Sequence, residues 1–408
     1  MQNAKRYSWV VVFLLWTVAL LNYLDRQMLS TMKPSMQIDI HELQTATNFG
    51  YLMAVFLWIY GLFSPFSGMI ADKINRKWII VASLFVWSTV TFLMGFAETF
   101  NQLYFLRALM GISEALYMPA GLSLLVDYHP KDTRSLAVGI HMTGFYIGQA
   151  LGGFGATIAN TLSWRKTFEY FGIAGIIYSI IILFFLKEIR TTKSSNKPAA
   201  QVSDILNKLK SIFSNYSYLL VLVSFAFVSI PGWAFKNWLP TLFSYNLKLD
   251  MSVAGPIATI TLAFSSLIGV VTGGIVSDKW IDKNYRGRVY TSIIGLILII
   301  PSLLLIGFGD SLPMIIGAAF CFGIGYGMFD ANYMPVLCQF VAPEKRATAN
   351  GCMNMVAVFL GAVITNVLGK SMDAGHLGRD FSYLALVIVF VVVIQFLFLK
   401  PGTADFKE

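Results

Sequence analysis

The sequence predicts an all-α membrane protein whose 12 transmembrane helices form two pseudo-symmetric bundles of six. Hydrophobic residues make up 56% of the 408 residues and charged residues only 12%. That charged fraction is about half of what soluble chains carry. The apolar residues come in blocks of about 20, the length that a helix needs to cross a bilayer. Composition and block length therefore predict the class, and an internal repeat predicts the two bundles.

Twelve apolar spans can be placed along the chain. They cover approximately 8–31, 46–71, 78–97, 101–127, 135–159, 165–186, 216–246, 252–277, 288–308, 312–341, 346–369 and 380–399. Most Lys and Arg fall in the loops on the side of the N-terminus, which predicts that both termini are cytoplasmic. The longest polar connection predicts three parts: an N-terminal bundle (1–186), a cytoplasmic linker (187–215) and a C-terminal bundle (216–408).

The two predicted bundles share sequence motifs in the same order. GMIADK at 68–73 returns as GIVSDK at 274–279, so that Asp72 corresponds to Asp278. YMP at 117–119 returns at 333–335. Such a repeat indicates two related halves, an architecture in which one half rocks against the other around a central site.

Charged side chains interrupt the first span near its end. Asp25 and Arg26 follow Asn22-Tyr23-Leu24 at a depth where each charge costs at least a few kcal/mol. Either these groups face a polar interior, or they mark the end of the helix in water. Under the first interpretation, this segment lines the polar interior around which the rest of the protein is organised.

The fourth span carries a second charged pair. Arg107 and Glu114 are seven residues apart, two helical turns, so they share one face with Gly111 between them. A buried carboxylate beside a guanidinium can load and release a proton as solvent access alternates. A guanidinium also matches a carboxylate ligand with two parallel hydrogen bonds. The alternative is a pair of structural intramembrane ion pairs.

These motifs resemble the major facilitator superfamily over essentially the whole chain. The loop G68-x-x-x-D72-K-x-N-R76-K is similar to the signature between its second and third helices, with asparagine where glycine is usual. Asp72, Arg76 and Asp278 are therefore expected to act as gating charges, Asp72 latching one conformation. The alternative is that they are ordinary loop charges that anchor the topology.

Within the superfamily, N22-Y-L-D-R26 and R107-x-x-x-G-x-x-E114 resemble the anion:cation symporter family of hexuronate, galactonate and sialic-acid carriers. The resemblance implies proton-coupled uptake of a small organic anion. It implies proton coupling by Asp25 and Glu114. It also implies that Arg26 and Arg107 bind the anion or form salt bridges to those two acids.

The seventh span adds a lysine that the family pattern does not require. Lys236 lies between Trp233 and Asn237, a group that can offer ammonium, aromatic and amide contacts to a sugar acid. Alternatively, Lys236 snorkels to the outer membrane surface. In the tenth span, Asp330 is a candidate partner of Lys236 when no substrate is bound.

The remaining candidates are polar residues of predicted spans. His141, Tyr146 and Gln149 lie on span five among glycines spaced four apart, although a lone membrane histidine is more often structural. The predicted substrate-binding residues are Asn22, Tyr23, Arg26, Arg107, His141, Tyr146, Gln149, Trp233, Lys236, Asn237, Asp330 and Asn332.

These patterns together favour a proton-coupled symporter of a sugar acid, such as a hexuronate, aldonate or sialic acid, working by alternating access. The alternative is an organic-anion or sugar-phosphate antiporter or uniporter of the same fold. No motif of a membrane enzyme, cofactor or metal site is found, and the excess positive charge lies in loops, not in a nucleic-acid surface. We expect a monomer in the bilayer of a bacterial cytoplasmic membrane, with protons as the coupling ion. The three cysteines are expected to be unpaired.

Overall fold

The computed structural model describes residues 2–187 and 209–400, and within these ranges the chain is helical and contains no strand. The helices, in chain order, are α1 (Gln2–Asp39), α2 (Ala46–Lys73), α3 (Arg76–Met94), α4 (Phe100–Tyr128), α5 (Lys131–Gly152), α6 (Gly155–Leu162), α7 (Trp164–Phe185), α8 (Tyr216–Leu247), α9 (Met251–Ile281), α10 (Gly287–Phe308), α11 (Leu312–Phe340), α12 (Pro343–Asp373) and α13 (Leu377–Phe398). Short helical turns lie at His41–Gln44 and at 209–213.

Among the described helices, 11 are long and apolar enough to cross a membrane. The all-α membrane fold predicted from the apolar blocks is therefore confirmed. Polar side chains set several helix starts: Thr45 caps α2, Asn75 caps α3, and Thr99 forms a capping box with Gln102 at α4.

The fifth predicted span, 135–159, is not one helix, and this prediction was wrong in detail. The chain breaks after Gly152, and the short helix α6 begins at Gly155. At Gly153 a Cβ atom would lie 2.9 Å from the carbonyl oxygen of Gly255 and would collide with Thr259 of α9. The break lies where α9 passes close to the backbone, and Thr31 Oγ1 accepts from the first turn of α6 at Ala156 N (3.2 Å).

The described residues pack as two compact units. The first contains residues 2–187, Trp233–Ala263 and Gly361–Leu377, and the second contains 209–232, Phe264–Leu360 and 378–400. In the first unit, α1 packs along α5, α2 along α4, and α3 along both α4 and α7. The second unit has an apolar core around Tyr218, Val289, Leu337 and Met353, each fully buried. The division into six-helix halves at a linker of 187–215 stays a prediction.

The glycines of α5 allow it to approach the backbone of α1, the helix that carries Asp25 and Arg26. A Cβ at Gly144 would lie 2.6 Å from Trp16 O, one at Gly152 would lie 2.9 Å from Leu24 O, and one at Gly148 would collide with Leu20 O. These glycines are spaced four apart and share one face of the helix. The charged part of α1 is therefore held in place by backbone contact along α5.

We expect Gly148→Ala to lower the free energy of unfolding by about 1–3 kcal/mol, the usual cost of overpacking. The added methyl group meets backbone, which cannot rotate away. Gly139→Ala on the same helix is the matched control, because a Cβ there has nothing within 4 Å. Thermal unfolding of the purified protein in detergent measures the difference, and equal melting temperatures for the two variants would contradict this role of the α5 glycines.

The start of α2 is joined to the end of α12 by a carboxylate. Asp373 accepts from Ala46 N at 2.7 Å, from Thr47 N at 2.8 Å and from Thr47 Oγ1 at 2.6 Å. Gly369, one turn earlier on α12, leaves room for this approach, because a Cβ there would lie 2.7 Å from Ala46 O. A residue near the end of the chain thus satisfies helix-start donors that α2 cannot satisfy itself.

Candidate functional site

A buried ion pair joins α1 to α4 inside the first unit. Arg26 Nε donates to Glu114 Oε2 at 2.5 Å, and the Glu114 side chain is 0% exposed. Asn22 Nδ2 donates to the same oxygen at 2.9 Å. Asn22 and Arg26 are one turn apart on α1, so both reach the carboxylate from one helix face. These residues, which the sequence placed on two spans, form one cluster.

Arg107 lies beside this pair with few partners of its own. The residue is 3% exposed, and its Nη1 contacts the Met110 sulfur at 3.1 Å. Among the described residues, Arg107 Nε and Glu114 Oε1 have no hydrogen-bond partner. A buried guanidinium that is not matched by a carboxylate is costly, because the loss of hydration is not repaid. A guanidinium in this setting can donate hydrogen bonds to an anion.

Asp25 points to a different neighbour from Arg26. Its Oδ2 accepts from Thr91 Oγ1 of α3 at 3.3 Å, and the residue is 5% exposed. Adjacent helical residues lie about 100° apart around the axis, which separates the two side chains. The charges of Glu114 and Arg107 still act on Asp25. The four ionisable groups therefore form one electrostatic unit.

Aromatic rings of α2 support the two arginines. The Phe56 ring centroid lies 4.6 Å from Arg26 Cζ and 4.8 Å from Arg107 Cζ, so both cations share one ring. Tyr60, one turn further on α2, lies 4.8 Å from Arg26 Cζ. Gly111 brings α4 against this part of α2, because a Cβ there would lie 2.8 Å from Phe56 O. Sequence reasoning missed Phe56, Tyr60 and Thr91. The i, i+4 spacing of the two rings predicts that they share one helix face, but not that this face meets the arginines.

Lys236 of α8 lies beside a ring of this cluster. Its Nζ is 5.7 Å from the Tyr23 centroid and 5.0 Å from the Trp233 centroid. The Tyr23 centroid is also 5.2 Å from Arg26 Cζ, so Tyr23 faces two cations. The Asn237 amide is already engaged, since Nδ2 donates to Thr365 Oγ1 at 2.8 Å. Lys236 thus lies inside the first unit, next to the predicted site.

The polar residues of α5 have different environments. His141 is fully buried, with its ring 6.1 Å from that of Tyr117 and 5.3 Å from that of Phe145. Phe145 in turn packs edge-on against Tyr23, with centroids 5.0 Å apart. Gln149 is 4% exposed and Tyr146 is half-buried. His141 is therefore embedded among rings, and its contact with a substrate stays a prediction.

Asp330 and Asn332 belong to the second unit. Asn332 Nδ2 donates to Met328 O at 2.8 Å and to Gly273 O at 3.4 Å, so its amide joins α11 to α9. Asp330 is half-buried on the same helix. Their roles toward a substrate stay predictions.

The predicted gating charges lie at helix ends. Arg76 pairs with Asp127 at the end of α4. Arg288 Nη2 lies 4.0 Å from Asp278 Oδ1, and the Asp278 side chain is 76% exposed. The side chain of Asp72 lies outside the described residues, so the predicted latch stays a prediction.

Most of the chain matches one protein family. A family model described as Major Facilitator Superfamily matches residues 15–366. The chain is 24% identical to the probable galactarate/D-glucarate transporter GarP of Escherichia coli (strain K12), covering 90% of this chain and 89% of GarP. It is 25% identical to the sphingosine-1-phosphate transporter SPNS2 of Xenopus tropicalis, covering 100% and 83%. A solved structure of a bacterial homolog of the human lysosomal transporter spinster, inward-facing and unoccupied, aligns with a TM-score of 0.81 and 20% identity over 98% and 99% of the two chains.

Proposed function

The chain belongs to the Major Facilitator Superfamily and is a multi-pass membrane transporter, and we propose that it carries a small organic anion, such as a sugar acid, together with protons. The observation that best supports this proposal is the buried guanidinium of Arg107 beside the Arg26–Glu114 pair. The transporter class, as opposed to an enzyme, follows from the family; the substrate and the proton are the proposal.

An anion is the ligand that fits this cluster. Arg26 already has a carboxylate partner at 2.5 Å, whereas within residues 2–187 and 209–400 the contacts of the Arg107 guanidinium are with a sulfur atom and a ring. A ligand carboxylate can receive two parallel hydrogen bonds from one guanidinium and so recover the lost hydration. Arg107 is therefore the proposed anion-binding residue, and Arg26 is the partner of Glu114. The likeness to a galactarate/D-glucarate transporter is consistent with a carboxylate ligand.

The charge balance of the same groups supports the proposal of proton coupling. With both carboxylates ionised, Asp25, Glu114, Arg26 and Arg107 sum to zero. Lys236 beside Tyr23 adds one positive charge. A bound anion adds negative charge next to both carboxylates, which favours a proton on one of them in a low-dielectric interior. Anion and proton are therefore expected to bind together. By alternating access, the loaded site would then open to the other side of the membrane.

The proposed orientation in the membrane rests on where Lys and Arg lie along the sequence. Lys and Arg concentrate in the loops that share a side with the N-terminus, which favours cytoplasmic termini. We propose a bacterial cytoplasmic membrane and a monomeric carrier. Anion or sugar-phosphate antiport, or uniport, by the same fold is the competing function, and a single lysine in place of an arginine on α8 counts against a sugar-phosphate antiporter.

Uptake by proteoliposomes tests the substrate and the coupling at once. Labelled D-glucuronate, D-galactonate, D-glucarate and N-acetylneuraminate are offered with and without an inward proton gradient, beside sphingosine-1-phosphate as the lipid alternative. Accumulation of a sugar acid only with the gradient is the expected result. Exchange that ignores the gradient would favour antiport, and uptake of sphingosine-1-phosphate alone would overturn the sugar-acid proposal.

Lys236 is expected to hold the substrate from α8. Lys236→Gln should raise the half-saturating concentration by about tenfold or more, because a charge-assisted hydrogen bond is lost. The exposed Lys248→Gln on the connection after α8 is the matched control. Substrate should also protect Lys236→Cys from a thiol reagent, in a background without Cys321, Cys338 and Cys352. A silent Lys236→Gln together with an unprotected Lys236→Cys would assign Lys236 to the membrane surface instead.

A further inference from the structure

A proline in α8 leaves one backbone carbonyl without its regular helical donor. Pro240 has no N–H, so the usual bond from residue 240 to the carbonyl of Lys236 cannot form. That carbonyl is taken by a side chain of α1: Gln27 Nε2 donates to Lys236 O at 2.9 Å. An oxygen freed by the proline is thus paired with the residue that follows Arg26.

The amide of Gln27 is fixed in this orientation by its own surroundings. Ser30 Oγ donates to the backbone carbonyl oxygen of Gln27 at 2.7 Å, so the lone pairs of the Ser30 hydroxyl can accept from Gln27 Nε2, also at 2.7 Å. Both N–H groups of the amide therefore have acceptors, Ser30 and Lys236. Gln27 is 6% exposed, and Gly152 of α5 packs directly on it, since a Cβ there would lie 2.6 Å from Gln27 Cβ.

The residues before the proline are held on other sides as well. Thr365 of α12 accepts from Asn237 Nδ2 through its hydroxyl at 2.8 Å and from Trp238 Nε1 through its carbonyl at 3.1 Å. Trp238 is fully buried and meets the Phe49 ring of α2 edge-on, with centroids 6.3 Å apart. Gln27 adds a contact from α1 to these contacts from α12 and α2.

We propose that Gln27 is a positioning residue that ties α1 to the carbonyl of Lys236, which Pro240 leaves without a helical donor, and thereby sets Lys236 beside Tyr23. The consequence for transport rests on the proposed function, whereas the tie between the two helices does not. Loss of the amide donor should favour separation of α8 from α1. A residue with a backbone N–H at position 240 should again donate to the carbonyl of Lys236. The contact between α1 and α8 should then depend much less on Gln27.

Double electron–electron resonance in lipid nanodiscs, without any ligand, tests the tie. Spin labels are attached at Ile38→Cys on α1 and Tyr245→Cys on α8, which are 73% and 51% exposed, after replacement of the three native cysteines. Gln27→Met should lower the ratio of molecules with a short distance between the two labels to molecules with a long distance by about three- to tenfold. This is the change that the free energy of one net hydrogen bond produces. Gln27→Asn keeps an amide but is one methylene shorter, so it should give the same change.

The matched control is Gln395→Met, the same substitution at another buried glutamine, on α13 in the second unit, 3% exposed. It should leave the distance ratio unchanged. In a Pro240→Ala background, where the new N–H can donate to Lys236 O, Gln27→Met should change the ratio clearly less than it does with Pro240 present. An unchanged ratio in Gln27→Met, an equal change in the Pro240→Ala background, or an equal change in Gln395→Met would overturn the proposal. Since no substrate is present, these outcomes are independent of the uptake results.

Discussion

Asp25→Asn and Glu114→Gln are each expected to abolish proton-driven accumulation of the anion in proteoliposomes. These are the carboxylates of the cluster that holds Arg26 and Arg107. Replacing either one by an amide removes a negative charge from the cluster, so a bound anion no longer favours the uptake of a proton. Both substitutions keep the size of the side chain and its ability to accept a hydrogen bond. Binding and counterflow exchange can therefore survive while accumulation is lost, and the two assays are measured side by side.

Asp39→Asn is the matched control for this experiment. It makes the same chemical change on the same helix, but Asp39 lies at the end of α1, where its carboxylate accepts from Trp164 Nε1 at 2.8 Å. Accumulation in this variant should stay at the level of the unsubstituted protein. Full gradient-driven uptake by both Asp25→Asn and Glu114→Gln would show that the coupling groups lie elsewhere.

Arg107→Lys is expected to raise the half-saturating concentration of the anion by about 10- to 100-fold. An ammonium group cannot reproduce the planar fork of a guanidinium, and hydrogen bonds between charged groups contribute about 1.5–3 kcal/mol each. Arg26→Lys should also be poorly tolerated, because Arg26 holds Glu114 at 2.5 Å and lies 4.6 Å from the Phe56 centroid.

The concentration dependence of initial uptake rates measures both arginine variants. Arg379→Lys, whose side chain is 46% exposed at the start of α13, serves as the control and should be unaffected. If both Arg26→Lys and Arg107→Lys transport with unchanged apparent affinity, neither arginine is the bidentate site for the anion.

The apolar blocks predicted the helices well because a bilayer constrains the length of each span. The exception is the end of α5, where the sequence shows only another glycine pair within an apolar stretch. The break at Gly153 depends on Gly255 and Thr259, about 100 residues further along the chain. A pattern within one segment contains no information about which distant helix crosses it, so the division into α5 and α6 could not be predicted.

The charged residues of the site could also be predicted. A charge in an apolar membrane helix costs several kcal/mol, so such residues are rare in these segments and are easily identified in the sequence. Their neighbours could not. The chain has 33 phenylalanines and 18 tyrosines, and nothing in the order of residues indicates that Phe56 lies under two guanidinium groups. That position depends on the crossing of α2 and α4 at Gly111, a property of the packed helices. Gln27 was missed for the same reason, since its acceptor is a carbonyl freed by a distant proline, on another helix.

The carboxylate of Asp373 at the start of α2 has a consequence for timing. Any motion that draws the end of α12 away from α2 removes the acceptor of Ala46 N, Thr47 N and Thr47 Oγ1 before water replaces it. These contacts are partly exposed, so together they contribute about 1 kcal/mol, the usual value of a helix cap. If these contacts break before the transition state of this motion is reached, their energy adds to the activation barrier. The lifetime of the arrangement in which the end of α12 contacts α2 is then about fivefold longer. One side chain at a helix end, Asp373, thus contributes to the rate at which this part of the molecule changes its arrangement.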